Sequence, residues 1–413
     1  MRHSVGTSLY GPCGPGTLAT STLSFEVIEQ AAMTPKNSTQ SQQPTITVDN
    51  VADVVNRIAD ASQSINESRQ IPRELIDSMA SRGLFRLLVP RSLGGEEIGL
   101  LDYLAITQDI SSADASMGWC FNQNNVLGTM ASLMSESLAQ EVWADNDTIL
   151  SNGPPQHASI EPVKGGYSIT GRWNFSSGSR HSTWVVAIGR HDGQTLSLIM
   201  PHADVEWVDS WQVGGLRGTG SFSFEANALF VPAHRTWVEA KAVRREMGPL
   251  YLINRRLLFG VGFASVALGV ARSALDEAIN TSLAKSPQEQ ALLRDQVQTQ
   301  REIGTAEALW GSCDAYLKEK ARTLWEHTCA HDELRMADRI GLRLASTWAI
   351  RKAAEVVDIA YSVCGATSIF EDHPIQRKFQ DAHAITQQLQ GRFEHYETAG
   401  QFYLGLEPQG NAH

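Results

Sequence analysis

The chain has 413 residues, of which 42% are hydrophobic and 19% are charged, and its formal net charge is −11 at pH 7. This length is enough for two or three domains with well-buried cores. A net charge of this sign argues against nucleic acid or an anionic membrane as a partner. The five cysteines are scattered, which indicates neither a disulfide framework nor a metal site and fits a cytoplasmic protein.

The amino-terminal segment, residues 1–45, lacks helical or strand periodicity and is rich in Gly, Pro, Ser and Gln. This composition predicts a disordered extension. No continuous apolar segment follows Arg2 and His3, which argues against a signal peptide. Translation from near Met33 is an alternative to a start at Met1.

The next part of the chain, residues 46–149, is predicted to be an α-helical domain. Apolar residues recur at helical spacing from Val51 to Ile65, and Pro72 begins a second helix that ends at Gly83. Further helical patterns cover residues 100–111 and the segment after Asp114.

The pattern changes to short alternating strands over residues 150–242, which predicts a central β domain. Residues 243–406 are predicted to be a carboxy-terminal helical bundle domain, followed by a tail at 407–413. Its four helical patterns cover residues 250–282, 288–327, 332–365 and 375–404. The apolar run at 257–270 falls short of the roughly 18 residues that a membrane span needs, so we expect a buried helix and no membrane contact.

The most informative segment is Trp173-Asn-Phe-Ser-Ser-Gly178, which lies between two β-patterned stretches. Aromatic rings flank two hydroxyl groups on a turn, and Gly178 would let a flat ligand approach the backbone. The pattern is that of one wall of a flavin site. The alternative is an ordinary β-hairpin with a serine turn.

This segment resembles the flavin-contacting β region of the acyl-CoA dehydrogenase superfamily. Its Phe-Ser-Ser-Gly form is similar to the two-component flavin monooxygenases of that superfamily, such as p-hydroxyphenylacetate, naphthocyclinone and indole-type hydroxylases. The resemblance covers residues from about 50 to about 405. It implies an α+β fold with an N-terminal helical domain, a central β-barrel-like domain and a C-terminal four-helix bundle.

The same resemblance implies a cofactor, a cosubstrate and partners. The cofactor is reduced FAD or reduced FMN, the cosubstrate is O2, and no metal is involved. No nicotinamide site is recognisable in the chain, so we expect a separate NAD(P)H-dependent flavin reductase to supply the reduced flavin. The superfamily's usual homotetramer is also implied.

Several residues are assigned to the flavin by this resemblance. Ser176 and Ser177 are the catalytic candidates near flavin N5, and the choice between them stays open. A glycine turn at 364–370 and the helix after it are expected to hold a phosphate, although Arg377 has an ion pair with Asp381 as its alternative partner. The cofactor-binding residues so predicted are Asn152, Gly153, Trp173, Ser176, Ser177, Gly365, Thr367, Ser368 and Arg377.

A second glycine-dense segment, residues 212–221, does not fit a dinucleotide fingerprint, because no βαβ unit surrounds it. We interpret it as structural, with a ligand contact from Arg217 or Ser221 as the alternative.

Residues that acyl-CoA dehydrogenases require are missing from this chain. Their glutamate base falls by register at Leu389 or Gln390, or near Arg255, and none of these can take the α-proton of a thioester. Tyr396-Glu397 imitates a family motif outside the expected register. The sequence therefore favours a monooxygenase over a dehydrogenase.

The two histidines of related phenol hydroxylases fall by register at Leu127 or Gly128 and at Gln388, and we interpret the nearby His181 and His383 as surface or supporting residues. We therefore predict a small aromatic substrate with an intrinsically nucleophilic ring, such as indole, whose N–H an amide oxygen would accept. The alternatives are an acyl-CoA dehydrogenase-like enzyme with a displaced base and a non-catalytic flavin-binding protein. The predicted substrate-binding residues are Trp119, Asn122, Asn124 and Gln388.

Overall fold

The computed structural model describes residues 46–288 and 290–409. The predicted disordered extension, residues 1–45, and the last part of the tail lie outside the described residues.

Five helices form the amino-terminal part of the described chain, as the apolar spacing predicts. In α1, Val54, Ile58 and Ile65 are buried on one face. The Asp114 side chain caps α4 by accepting the backbone N–H of Met117 at 2.9 Å, which fixes where this helix begins. The helices are α1 (Ala52–Ser68), α2 (Arg73–Ser81), α3 (Leu100–Ala113), α4 (Ala115–Gly128) and α5 (Glu136–Trp143).

The central part contains two four-stranded sheets, in the orders β1-β4-β5-β8 and β2-β3-β7-β6. Only β1 and β4 pair in parallel among the pairings described. One apolar cluster joins side chains of both sheets, including Ile169 and Trp173 from one and Val185 and Leu198 from the other. The strands are β1 (Leu150–Gly153), β2 (Pro155–Val163), β3 (Gly166–Ser176), β4 (Trp184–His191), β5 (Gln194–Pro201), β6 (Glu206–Val208), β7 (Phe222–Pro232) and β8 (Thr236–Val238).

The carboxy-terminal part is helical, and its central helix α6 packs against α3, α4 and α8. By length and composition α6 could cross a membrane, since its most apolar window has a mean hydropathy of 1.6, but 83% of that window is buried within the fold. This burial is typical of a core helix. The helices are α6 (Arg255–Ala284), α7 (Val297–His331), α8 (Met336–Cys364), α9 (Pro374–Thr386) and α10 (Glu394–Tyr403).

The prediction of one continuous helix over residues 375–404 is wrong. Helix α9 ends at Thr386, and a short 3₁₀ helix at Leu389–Gly391 separates it from α10. A Cβ atom on Gly391 would lie 2.8 Å from the Thr386 carbonyl oxygen, so the chain folds back more tightly than a larger residue allows. The Arg351 guanidinium donates to the Gly391 carbonyl oxygen at 2.6 Å and satisfies a group that the break leaves outside a helix.

Candidate active site

A β-bulge at the end of β3 shapes the predicted flavin segment. Trp173 pairs with Phe224, and Ser176 pairs with Phe222. Two residues of β3 therefore lie between these pairs, opposite a single residue of β7. Phe175 lies within the bulge at φ 59°, a left-handed backbone conformation, and its side chain is 60% exposed. The bulge therefore turns the Phe175 ring outward, next to the two serines.

The prediction that Trp173 contacts flavin is corrected by this geometry. The Trp173 side chain is fully buried between the two sheets and stacks on Phe224 with ring centroids 5.0 Å apart. Its indole N–H donates to the Ile188 carbonyl oxygen at 2.9 Å. Trp173 is thus a core residue, and Phe175 is the aromatic residue of this segment that faces outward. Sequence reasoning missed this because alternation along a strand does not reveal where a bulge shifts it.

The Ser177 hydroxyl belongs to a chain of hydrogen bonds. The Trp119 indole N–H donates to Ser177 Oγ at 2.9 Å, and Ser177 Oγ lies 2.8 Å from Ser221 Oγ. Ser221 Oγ lies 2.6 Å from Thr219 Oγ1, whose own hydroxyl donates to the Leu216 carbonyl oxygen at 2.9 Å.

These contacts determine the direction of each hydroxyl proton. The Thr219 hydroxyl donates its proton to the Leu216 carbonyl oxygen, so it must accept from Ser221. Ser221 in turn must accept from Ser177. Ser177 Oγ accepts one hydrogen bond from Trp119 and keeps one lone pair for another donor. The glycine-dense segment that carries Thr219 and Ser221 therefore supports the site as well as the fold.

Ser176 lies on the other side of the turn. Its side chain is fully buried, and Ser176 Oγ has no hydrogen-bond partner within the described residues. A Cβ atom on Gly153 would lie 2.8 Å from Ser176 Oγ, so the end of β1 passes directly beside this hydroxyl. The structure thus brings Gly153 and its neighbour Asn152 to the predicted serine pair.

Helix α4 presents different side chains to different neighbours. Trp119 and Gln123, one turn apart, bond Ser177 and Asn152 respectively, the latter at 2.7 Å. The Trp119 ring also stacks on Phe263 of α6 with centroids 4.0 Å apart. An aromatic surface thus adjoins the serine turn.

Asn124 differs from its predicted role in substrate binding. Asn124 Nδ2 donates to the Leu150 carbonyl oxygen at 2.7 Å, and Asn124 Oδ1 lies 3.2 Å from His181 Nε2. Both ends of the amide are used within the protein, so Asn124 holds β1 and the turn in place. Burial lowers the pKa of His181 to about 3, which keeps this imidazole neutral.

Asn122 and Gln388 each present an N–H donor. Asn122 Oδ1 accepts the Tyr103 hydroxyl at 2.8 Å, and Gln388 Oε1 accepts the Gln390 backbone N–H at 2.7 Å. Asn122 Nδ2 and Gln388 Nε2 are buried with no hydrogen-bond partner in the described part of the chain. Each amide oxygen already accepts one hydrogen bond and keeps one lone pair, whereas each Nδ2 or Nε2 donor is unused within the described residues, so acceptance of an indole N–H by these amides stays a prediction.

The predicted glycine turn adjoins a surface pocket of about 820 Å³ that includes Lys285, Gly365 and Thr367 in its lining. Gly365 has φ 66°, which favours glycine. Lys285 Nζ donates to the Cys364 carbonyl oxygen at 2.5 Å and to Thr367 Oγ1 at 3.1 Å, so a cation lies at the turn. Ser368 is buried, and its hydroxyl donates to the Gly365 carbonyl oxygen at 2.5 Å. This hydrogen bond stabilises the turn.

Arg377 does not fit the predicted role in phosphate binding. Its guanidinium donates to the Ser62 carbonyl oxygen at 3.1 Å and to Ser62 Oγ at 2.8 Å, and Ser62 Oγ in turn donates to Asp114 at 2.6 Å. Arg377 therefore ties α9 to α1. No ion pair between Arg377 and Asp381 is among the described salt bridges, and Asp381 accepts the Leu216 backbone N–H at 2.6 Å.

The positions aligned with a dehydrogenase base hold no proton acceptor of the required kind. Arg255 forms an ion pair with Glu239 at 2.5 Å. Leu389 is 50% exposed in the short 3₁₀ helix, and Gln390 accepts a hydrogen bond from Arg343. Abstraction of an α-proton is therefore not the chemistry that these positions support.

The residues at the serine turn fit a flavin ring. An isoalloxazine needs apolar surface on its faces and hydrogen-bonding groups at its edge, and Phe175 and Trp119 supply the first while the two serines supply the second. The spare lone pair on Ser177 is available to a ligand, whereas the Ser176 hydroxyl is fully buried beside Gly153.

Comparison with known proteins agrees with this geometry. Residues 44–143 match the acyl-CoA dehydrogenase N-terminal domain, and residues 261–391 match the acyl-CoA dehydrogenase C-terminal domain. The chain is 32% identical over 352 residues to indole-3-acetate monooxygenase of Pseudomonas putida, with 83% of this chain and 90% of that protein covered. It is 25% identical over 397 residues to the oxygenase component of the FADH2-dependent resorcinol hydroxylase of Rhizobium sp. strain MTP-10005, with 88% and 95% covered.

The fold comparison gives the same result. The crystal structure of 3-HSA hydroxylase from Rhodococcus sp. RHA1 superposes with a TM-score of 0.83 at 25% identity, covering 90% of this chain and 100% of that chain. The chain belongs to the acyl-CoA dehydrogenase superfamily. Within it, the protein is the oxygenase component of a two-component flavin-dependent monooxygenase, which uses reduced flavin and O2 and depends on a separate flavin reductase.

Proposed function

We propose that this protein inserts one oxygen atom into an electron-rich aromatic or heteroaromatic ring. The overall reaction consumes the aromatic compound, reduced flavin and O2 and yields the hydroxylated compound, oxidised flavin and water. The observation that carries this proposal is the ordered hydroxyl of Ser177 beside the outward Phe175 and the Trp119 ring. When bound, the reduced flavin supplies both electrons and activates O2.

Ser177 is the residue that we propose to contact flavin N5. Its remaining lone pair is an acceptor, and N5 of a reduced flavin carries a proton that can be donated. A hydrogen bond from N5 to Ser177 Oγ would hold that proton on N5 and delay the wasteful release of hydrogen peroxide. Ser176, next in the chain, is proposed to face the neighbouring edge of the ring.

The aromatic substrate is proposed to lie against the Trp119 and Phe263 rings. The free donors on Asn122 and Gln388 would bind an acceptor group of the substrate, such as a carbonyl or carboxylate oxygen. Burying these donors with no partner costs free energy, and an acceptor on the substrate would recover it.

The glycine turn is proposed to bind the ADP half of FAD from another subunit. Lys285 lies 22 positions after Phe263 along α6, which at 1.5 Å per residue separates them by about 33 Å. One flavin cannot reach both places in a single subunit. The Lys285 cation at the glycine turn supports FAD over FMN, because only FAD has an ADP half, and the separation supports a homotetramer in which one subunit completes the site of another.

We also propose the arrangement of the chain as three domains, 46–149, 150–242 and 243–406, acting in the cytoplasm. The change from helix to strand between Trp143 and Leu150 and the return to helix at Arg255 support these boundaries. Dependence on an NAD(P)H-dependent reductase supports the location.

A turnover assay tests the proposed function against its alternatives. The full chain is supplied with a flavin reductase, NADH, FAD and O2, and indole, 4-hydroxyphenylacetate and butyryl-CoA are compared. We expect oxygenated product from indole and no anaerobic reduction of bound FAD by butyryl-CoA. Reduction of the flavin by the thioester would establish a dehydrogenase, and flavin binding without any turnover of aromatic compounds would establish a binding protein.

A further inference from the structure

The hydroxyl chain that reaches Ser177 starts next to a buried acid of the carboxy-terminal helices. Asp381 of α9 accepts the Leu216 backbone N–H through its Oδ1 at 2.6 Å. The carbonyl oxygen of the same Leu216 accepts the Thr219 hydroxyl, and the chain continues through Ser221 to Ser177. Leu216 is therefore held at both of its backbone polar groups, by Asp381 at the N–H and by the hydroxyl chain at the carbonyl.

Leu216 adopts a backbone conformation that needs such support. Its φ of 53° and ψ of 35° lie in the left-handed region, which costs free energy for a residue other than glycine. Its side chain is buried in the main apolar core, and the Trp211 indole N–H also donates to its carbonyl oxygen at 3.0 Å. A charged acceptor forms a stronger hydrogen bond than a neutral one, so Asp381 stabilises this conformation most when its carboxyl group is ionised.

The glycine-dense segment, residues 212–221, contacts both α9 and the serine turn through its backbone. A Cβ atom on Gly215 would lie 2.2 Å from the Gln380 carbonyl oxygen, so the segment packs directly on α9. At its other end, the Thr219 carbonyl oxygen accepts the Gly178 backbone N–H at 2.9 Å. The segment thus connects α9 to the serine turn through backbone contacts as well as through hydroxyl groups.

We propose that Asp381 is a positioning residue for the oxygenation, because it fixes Leu216 and thereby orients the Ser177 hydroxyl at the flavin. The inference rests on the proposed function, in which Ser177 accepts a hydrogen bond from flavin N5. Asp381 touches neither flavin nor substrate in this scheme. It keeps the spare lone pair of Ser177 in one direction, since a hydrogen-bonded chain with a fixed end leaves its other hydroxyl groups one arrangement.

The ionisation of Asp381 makes this positioning depend on pH. Burial raises its pKa from 3.8 to about 7, although the hydrogen bond from Leu216 opposes the rise. As the pH falls through about 7, the carboxyl group of the folded protein gains a proton and becomes a weaker acceptor. The charged groups around it are Asp114, which raises the pKa, Arg377 and Lys378, which lower it, and Glu277 of α6, which acts on Lys378.

The first test follows hydrogen peroxide release per bound reduced FAD between about pH 6 and about pH 9. Asp381→Asn keeps the shape of the side chain and an acceptor oxygen but removes the charge. Release by the wild type should rise about fivefold as the pH falls through about 7, which is the difference between a charged and a neutral acceptor. Asp381→Asn should show the higher release at every pH.

Asp338→Asn is the matched control for the loss of a carboxylate. The Asp338 side chain is only 9% exposed, and its described partner, Arg335, lies three residues away along the chain. This variant should keep the pH profile of the wild type.

Two further measurements distinguish positioning from a purely structural role. Ser177→Ala removes the hydroxyl at the end of the chain, so Asp381→Asn should add little peroxide release in that background. The second measurement is hydrogen exchange of residues 212–221 in the flavin-free full chain, corrected for the intrinsic rate at each pH. Exchange should become faster below about pH 7 in the wild type and should be fast at every pH in Asp381→Asn.

Arg377→Gln gives a second reading should Asp381→Asn fail to fold. The positive charge of Arg377 lowers the pKa of Asp381, so its removal should raise that pKa. The midpoints of peroxide release and of exchange should then both move to higher pH. Midpoints that stay in place would contradict the inference.

The remaining outcomes separate the inference from the function on which it rests. A midpoint near pH 7 that persists in Asp381→Asn would overturn the inference, because another group would then titrate. An effect of Asp381→Asn that is as large in Ser177→Ala as in the wild type would also overturn it. Failure of the wild type to oxygenate any aromatic compound would reject the proposed function, whereas exchange that depends on Asp381 would still establish its hold on Leu216.

Discussion

At the scale of single residues, the two serines differ in what their hydroxyls already bind. Ser177 is oriented by Trp119 and Ser221, whereas Ser176 has no partner among the described residues. We predict that Ser177→Ala raises hydrogen peroxide release per reduced flavin by about tenfold, since one hydrogen bond of about 1.5 kcal/mol is lost. Rapid-mixing measurement of peroxide and product checks this. A larger effect from Ser176→Ala would show that the assignment is reversed.

The indole N–H of Trp119 can be tested separately from its ring. Trp119→Phe keeps an aromatic ring against Phe263 but removes the donor to Ser177. We predict a several-fold rise in peroxide release with little change in substrate KM, because the ring surface remains. Trp119→Leu is the comparison, and it should raise KM as well. If Trp119→Phe raises only KM, Trp119 acts through packing and not through Ser177.

His181 makes a prediction about stability and pH. Burial lowers its pKa from 6.5 to about 3, so the folded protein favours the neutral ring. Below pH 6.5 the unfolded chain gains a proton that the folded chain excludes, and stability falls as the pH decreases toward 3. At pH 5 the contribution is about 2 kcal/mol relative to pH 8. Urea unfolding of the wild type and of His181→Gln at both pH values measures it, and equal pH dependence of the two proteins would contradict it.

At the scale of elements, α4 and α6 approach closely at Gly262. A Cβ atom there would overlap the Asn122 amide, whose oxygen accepts the Tyr103 hydroxyl. We predict that Gly262→Ala destabilises the protein by about 1 to 3 kcal/mol, as overpacking does, and weakens substrate binding by moving Trp119 relative to Phe263. Thermal unfolding and substrate titration measure the two effects.

Gly304 supplies the matched control for this substitution. It lies in α7 with nothing within 4 Å of the position of a Cβ atom. Gly304→Ala should stabilise the protein by about 1 kcal/mol, because alanine has the higher helix propensity. A Gly262→Ala protein that is also stabilised would show that the two helices have room to separate.

The regular elements were largely predictable, because apolar spacing reports which face of a helix or strand is buried. The spacing could not predict the interruption near Gly391, where a tight backbone approach replaces the helix although the apolar pattern continues. It also could not predict the bulge in β3, which exchanges the roles of Trp173 and Phe175. The interruption near Gly391 and the bulge in β3 both depend on local backbone geometry and not on hydrophobicity.

The site was predicted in part. The serine turn, Trp119 and the end of β1 meet as a site requires, although their contacts with a flavin remain a prediction. A sequence does not show that Arg377 and Asn124 have partners within the protein, and the structure gives Ser62 as the partner of Arg377 and Leu150 as a partner of Asn124.

At the scale of the whole molecule, the distance of about 33 Å between Phe263 and Lys285 is the basis of the proposed site shared between subunits. We predict that Lys285→Glu weakens FAD binding at least about tenfold and leaves riboflavin binding unchanged, because a cation beside the ADP phosphates becomes an anion. Fluorescence titration of both flavins measures this, with native mass determination to follow the oligomer. Equal loss of FAD and riboflavin would contradict the assignment of the glycine turn to the ADP half.

The bulge in β3 also separates two kinds of evolutionary constraint. Trp173 fills the interior between the sheets, so substitutions there would destabilise the fold. Phe175, only two residues later, is 60% exposed. Substitutions at Phe175 that accept its left-handed backbone, such as asparagine or glycine, should be tolerated by the fold. Position 175 is therefore a place where descendants of this protein can vary the surface offered to a ligand while the strand beneath it stays the same.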